Sequence, residues 1–205
     1  MISGPGRAAA VAALVAAALA GAAAGPATSA EPAFEDPVSG PPPPEPSGYK
    51  MDDYRSVTPL TLQGARSVDT AQAEMLWREK GAVFLDTMPR DRHPPNLPPG
   101  TVWRDKPRDH IPGSVWLANV GYGALTPEMD AYFQGALKAL SANDMAKPLL
   151  FYCRAACWMS WNAAKHAMAL GYTSVIWYGD GTDGWAKAGL PLERASPYAL
   201  APASQ

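Results

Sequence analysis

A chain of 205 residues with 17 Lys and Arg against 19 Asp and Glu has a formal charge of −2, which argues against nucleic-acid binding by bulk charge. Its two cysteines, Cys153 and Cys157, are so close in sequence that a bridge between them closes only a tiny loop. Such a bridge adds little stability through loop entropy, so chemistry is a better reason for the pair than stapling. Once a leader and a linker are set aside, about 145 residues remain, enough for one domain with one core.

In residues 1–30 a short polar segment with Arg7 precedes an apolar run, Ala8 to Ala20, and small residues ending Ala27-Thr28-Ser29-Ala30. That is the pattern of a secretory signal with a small-residue cleavage site. The run is too short and too rich in alanine for a membrane span, with an uncleaved N-terminal anchor as the alternative. The expectation is a periplasmic protein with no stable membrane insertion after signal cleavage, in an oxidising compartment where two cysteines can pair. Residues 31–59 are rich in Pro, Gly, Ser and acids and poor in aliphatic residues, which predicts a flexible tether, with Pro41 to Pro44 extended as polyproline II. A docking motif, or an arm in which Tyr49, Met51 and Tyr54 pack on the domain, are the alternatives.

The predicted domain spans residues 60–193. Ser67-Val68 reads as a short edge strand. Asp69 (or Thr70) caps a helix to about Lys80, with Gln72 in capping-box spacing to Asp69 and Gly81 as the stop. Ala82 to Leu85 is a buried strand ending at Asp86. The Pro-studded stretch from Met88 to His110 carries Arg90, Arg92, Arg104, Lys106 and Arg108 with His93 and Trp103. It is either a solvated insertion or a basic rim for an anionic substrate, with Trp103 as a contact. Ser114 to Leu117 is a strand, and Thr126-Pro127 opens a helix with Met129, Phe133, Leu137 and Leu140 on one stripe. The apolar strand Leu149 to Tyr152 then runs into a loop opening on Cys153, from which a helix starts near Ser160 and ends at Gly171. Ser174 to Tyr178 is a further strand, a short helix surrounds Trp185, and residues 194–205 read as a frayed tail.

Strands alternating with crossover helices predict an α/β fold, a mainly parallel central sheet with helices on both faces. In such sheets the site lies beyond the C-terminal ends of the strands, where Asp86 and Cys153 both fall. A thiol at a strand-to-helix turn sits under unpaired helix N–H groups and the positive end of the dipole, which lowers its pKa and makes it a nucleophile. Cys157, four residues on, is placed to resolve a persulfide or sulfenic acid on Cys153 as an internal disulfide, with Trp158 and Trp161 as shields. A small buried hydrophobe at Cys157, or a metal held by the pair, are the alternatives. No recognised zinc spacing links His93, His110 and His166 to them, and neither a metal nor a cofactor is expected.

The pieces AVFLD ending at Asp86, DHIPGSVWL from Asp109, FYCR from Phe151 and GYTSVIWYGDGTDGWAKAGLP from Gly171 together resemble a rhodanese-like domain over about Thr61 to Leu192. More narrowly, NVGYGALTPEM, FYCRAACWMSWNAAK and YGDGTDGW, with the signal, resemble the exported PQQ-dependent catabolism-associated CXXCW motif proteins, although three residues separate the cysteines here. The resemblance implies that Cys153 carries sulfane sulfur as a persulfide in a cradle of backbone N–H groups, with Arg154 the adjacent cation, Cys157 the second sulfur and Asp86 on the same rim. The expected substrate contacts are Trp158, Met159, Arg90, Arg92, Trp103 and Arg104. Ala156 stands near the family's glycine place, and Trp158 or Met159 near the place of an arginine. Without that arginine fork, phosphatase chemistry is not expected. Implied partners are a small sulfur compound or a redox partner protein, and a PQQ-dependent dehydrogenase system. The alternative is an inactive rhodanese-like binding module for an anionic ligand or a partner protein, PQQ being one ligand suited to Arg90, Arg92 and Arg104.

Overall fold

A computed structural model describes residues 38–91, 96–102 and 106–200, together with Met1; all but Met1 lie in a unit that begins at Asp36. Residues 2–37, on which the expected signal falls, Arg92, His93, Trp103, Arg104 and residues 201–205 lie outside the described residues.

Five short strands form the sheet: β1 (Arg66–Val68), β2 (Val83–Asp86), β4 (Val115–Trp116), β5 (Leu149–Tyr152) and β6 (Val175–Tyr178). They lie in the order β1-β6-β5-β2-β4, every pair parallel. A separate antiparallel ribbon joins β3 (Asp109–His110) to β7 (Glu193–Arg194). β5 and β6 are buried at every position, as strands covered on both faces must be.

Alternate residues of each strand serve opposite faces. Leu85, Leu149, Phe151, Val175 and Trp177 pack with α2 (Pro127–Ser141) and α3 (Trp158–Ala169). Phe84, Leu150, Tyr152, Ile176 and Tyr178 pack with α1 (Thr70–Arg78) and α4 (Gly181–Lys187). The expected α/β architecture, a mainly parallel sheet with helices on both faces, is therefore observed. Among the described residues no helix is long and apolar enough to cross a membrane.

Local chemistry accounts for most boundaries. The Asp69 side chain accepts the Gln72 N–H and the Gln72 side chain accepts the Asp69 N–H, so both halves of the capping box form. α1 ends at Arg78, two residues earlier than expected, and Lys80, not Gly81, takes the left-handed backbone, at φ 52°. Thr126 caps α2 through the Met129 N–H, with Pro127 at the first turn.

Three segments depart from expectation. α3 starts at Trp158 with Cys157 as its N-cap, two residues before Ser160. Residues 38–59 are not a loose tether but an arm along the domain, the alternative in which Tyr49 and Tyr54 pack. Glu45 accepts from the Gln63 N–H, and Tyr49 stacks on His166 with ring centroids 4.1 Å apart. The segment after Glu193 is not frayed as far as residue 200: β7 pairs with β3, and the Tyr198 N–H donates to Trp116 O at 2.8 Å.

Candidate functional site

β5 is the central strand of the sheet, and the chain leaves its C-terminal end at Cys153. Cys153 and Cys157 are joined by a disulfide, so the loop from strand to helix is closed on itself. Between them Ala156 takes a left-handed backbone, φ 49°, which turns the chain back so that Cys157 can cap α3. The Cys157 side chain makes no capping hydrogen bond, since its sulfur is committed to the bridge.

The start of the loop is pinned by its carbonyl. Cys153 O accepts from Thr182 N–H (3.1 Å), Thr182 Oγ1 (3.3 Å) and Arg108 Nη2 (3.1 Å). Gly181 makes this approach possible: a Cβ there would stand 2.7 Å from Arg154 Cα and from Cys153 O, and its φ of +54° suits glycine. Arg108 is in turn held by Asp86, Nε to Oδ2 at 2.8 Å and Nη2 to Oδ1 at 3.0 Å, a two-pronged pair with the carboxylate fully buried. Burial works against the Arg108 charge, but the Asp86 carboxylate outweighs it and raises the guanidinium pKa above its ordinary value. Asp86 thus shares the rim with Cys153, as expected, but acts on the loop through Arg108.

The end of the loop is held by the arm. Tyr54 O accepts the Trp158 N–H at 2.9 Å, Ser56 Oγ accepts from Trp158 Nε1 at 3.0 Å, and Arg55 Nη1 donates to Ala155 O and Ala156 O. The sulfurs themselves lie in a small apolar cluster with Met159, against which Tyr54, Met88 and Tyr122 pack. Met88 Sδ is 3.5 Å from Cys153 Sγ, a sulfur–sulfur contact, because a bridged cysteine has no proton to donate.

The sequence-predicted residues distribute unevenly. Cys153, Cys157 and Met159 come together. Arg154 leans toward α4, its Nε 3.6 Å from Asp183 Oδ2. Trp158 is buried to 3 % exposure against Trp161 and Met159 to 1 %, so both are walls of the core rather than open contact surface. Arg90 is exposed, and its backbone N–H donates to Asn119 Oδ1. Of the basic stretch, Arg108 faces inward and Lys106 pairs with Asp91 at 3.2 Å. A groove of about 490 Å³ beside the loop is lined by Val57, Thr58, Ala155 and Ala156 and by the carboxylates Asp69 and Asp180, with no Lys or Arg among the lining residues described. No His, Cys, Asp and Glu cluster suited to a metal occurs among the described residues.

The family model described as the Rhodanese-like domain matches residues 68–188, more than half of the chain. The chain belongs to the rhodanese-like domain family. Among solved structures, this rhodanese-like chain is similar to a human single-domain sulfurtransferase, TSTD1. The two are 22 % identical, the match covers 60 % of this chain and 96 % of that one, and the TM-score is 0.39. No curated protein matches the chain.

Residue reasoning missed Arg108 as a clamp, the hold of Tyr54, Arg55 and Ser56 on the cysteine loop, and the Gly181-Thr182 pair. The one available signal was the short Asp180-Gly181-Thr182 turn after β6, since a glycine at a strand end often marks close backbone approach.

Proposed function

We propose that this protein is an exported rhodanese-like protein that uses Cys153 and Cys157 for sulfur-carrier or thiol–disulfide chemistry. The observation that carries the reading is the Cys153–Cys157 bridge at the C-terminal end of the central strand. Oxidised, the pair stores two electron equivalents fewer than the dithiol, and a reducing dithiol partner supplies them with two protons. Reduced, Cys153 is free to take a sulfane sulfur as a persulfide. Attack by the Cys157 thiolate on the inner sulfur then expels hydrosulfide and restores the bridge. The positive end of the α3 dipole supplies polar stabilisation for a thiolate there.

Export rests on the leader sequence at residues 1–30. A place beside PQQ-dependent alcohol oxidation rests on the motif likeness of NVGYGALTPEM and YGDGTDGW, and implies a dehydrogenase system as partner, not PQQ binding by this chain. The alternative, an inactive binding module, is favoured by one observation: both sulfurs are buried, Cys153 at 0 % and Cys157 at 5 % exposure. For an anionic ligand the acidic groove beside the loop is a poor seat.

The experiment is intact-mass analysis of the exported protein before and after reduction, then after incubation with thiosulfate. The reading expects a two-proton mass gain on reduction, or a gain of one sulfur in the dithiol, and neither in Cys153→Ser. A wild-type protein whose cysteines never oxidise and never gain sulfur leaves only the binding module. Binding of a partner that survives Cys153→Ser with Cys157→Ser points the same way.

A further inference from the structure

The chemistry proposed above needs a sulfur that a nucleophile can reach, and the folded protein offers none: Cys153 is 0 % and Cys157 5 % exposed. Three side chains complete the cover, Met88, Tyr122 and Tyr54. Two of them sit on segments tied into the domain. Met88 follows β2, its N–H bonded to Asp86 Oδ1 and its carbonyl accepting from Trp116 Nε1. Tyr122 has its carbonyl 3.0 Å from His166 Nε2 on α3. Tyr54 differs. It belongs to the arm, of which the described residues contribute no strand or helix and which holds to the domain through separate polar and ring contacts.

Those contacts converge on the cysteine loop and on α3. Besides the Tyr54, Arg55 and Ser56 bonds to the loop and to Trp158, the Asn162 side chain pairs with both the N–H and the carbonyl of Lys50. Lys165 Nζ donates to Ser47 O and Gly48 O and lies 4.7 Å from the Trp161 ring centroid. Tyr54 O takes the N–H of Trp158, the first helical residue of α3, so the arm also occupies one of the donors a thiolate or an anion at the loop would use.

The geometry points to residues 49–57 as a strap that gates the disulfide: exchange proceeds only when this segment lifts from the loop. The inference rests on the thiol reading of the site. With the strap lifted, the thiolate of a partner dithiol attacks one sulfur of the bridge, forming a mixed disulfide and releasing the other cysteine as a thiolate. The partner's second thiol then displaces the remaining cysteine. Two electrons and two protons pass to Cys153 and Cys157, and the partner leaves as its own disulfide. Opening is a local event with its own free energy, set by the arm's bonds and not by global unfolding.

The test uses the full chain, oxidised, under excess dithiothreitol, with acid quench, alkylation and intact mass to follow reduction in time. Tyr54→Ala and Arg55→Ala are each expected to reduce about tenfold faster than wild type, the factor for losing one or two good polar contacts from the closed state. Lys165→Gln touches neither sulfur nor loop and loosens the arm upstream; it is expected to give a smaller acceleration, about threefold. It keeps the question answerable if either of the others fails to fold by circular dichroism. Rates within twofold of wild type in all folded variants, with the bridge present, overturn the strap and leave the thiol reading standing. If the protein is isolated as the dithiol, the same comparison is made by iodoacetamide alkylation of Cys153 and Cys157; equal rates there overturn the strap as well. A protein that shows neither a bridge nor a bound sulfur removes the thiol reading itself.

Discussion

Replacing Arg108 with methionine removes a guanidinium that faces a fully buried carboxylate. Asp86 has 0 % side-chain exposure and Arg108 12 %, and their two contacts measure 2.8 and 3.0 Å. His110, with Nδ1 4.0 Å from Asp86 Oδ2, is beyond hydrogen-bond distance, and burial holds its pKa below the ordinary value against the pull of Asp86, so it is a poor substitute for the guanidinium. The carboxylate is then left without a cation, a change that typically costs about 3–5 kcal/mol. Loss of one of the three donors to Cys153 O adds about 1 kcal/mol, for a total near 5 kcal/mol. With a urea slope of about 2 kcal/mol/M, the unfolding midpoint should fall by about 2 M or more, read by tryptophan fluorescence. Asp86→Asn on the Arg108→Met background removes the stranded charge and keeps an acceptor for the Met88 N–H. That double variant should be more stable than the two single losses added together, by about 2 kcal/mol or more. An Arg108→Met loss under about 1 kcal/mol, or no coupling in the cycle, refutes the argument that the pair is desolvated and braces the loop.

Gly181→Ala should lower the melting temperature by about 10 °C, from left-handed strain plus the clash with Cys153 O. Gly189→Ala, equally left-handed but open to space, should cost only about 3 °C; equal effects would mean the close approach is not tight. Reducing the bridge, with a sequence separation of 4, should cost about 2 kcal/mol at most by loop entropy, checked by urea unfolding with and without reductant. His166 and His110 both have pKa values lowered from 6.5, chiefly by burial. The unfolded chain therefore takes up protons that the folded one refuses, so stability is full above about pH 6.5 and falls as the solution is acidified below it. His166→Gln should flatten that fall in denaturant titrations at about pH 7.5 and about pH 5.5, and an unchanged slope would assign it elsewhere.

The sheet was legible because its signals are local. Leu149 to Tyr152 and Val175 to Tyr178 are short, continuous apolar runs, and the Asp69–Gln72 and Thr126–Pro127 caps are written within four residues. The start of α3 was not legible for a specific reason. Trp158 to Ala164 is buried all round, so it carries no amphipathic period, and the N-cap is a bridged cysteine with no capping hydrogen bond. The partner of the first helical N–H comes instead from Tyr54, about a hundred residues away in the chain. The arm entered only as an alternative to a flexible tether because main-chain atoms of a polar, Pro-rich segment meet side chains such as Asn162 and Lys165, and composition does not record that kind of contact. Arg108 looked like its basic neighbours, since nothing in its type distinguishes a clamp from a solvated cation. The cysteine position was read correctly from the strand-to-loop junction, while its covering was visible only in three dimensions.

The two ends of the cysteine loop are restrained very differently. The Cys153 peptide is gripped by Arg108, itself paired with Asp86 at the end of β2, and by both donors of Thr182 in α4. The carbonyls of Ala155 and Ala156 are gripped by Arg55, which belongs to the arm. In the thiol reading proposed above, any rearrangement of the loop on reduction would fall on residues 154–157, because the Cys153 end is the one anchored in the domain, and Arg55 of the arm holds the carbonyls in that freer half.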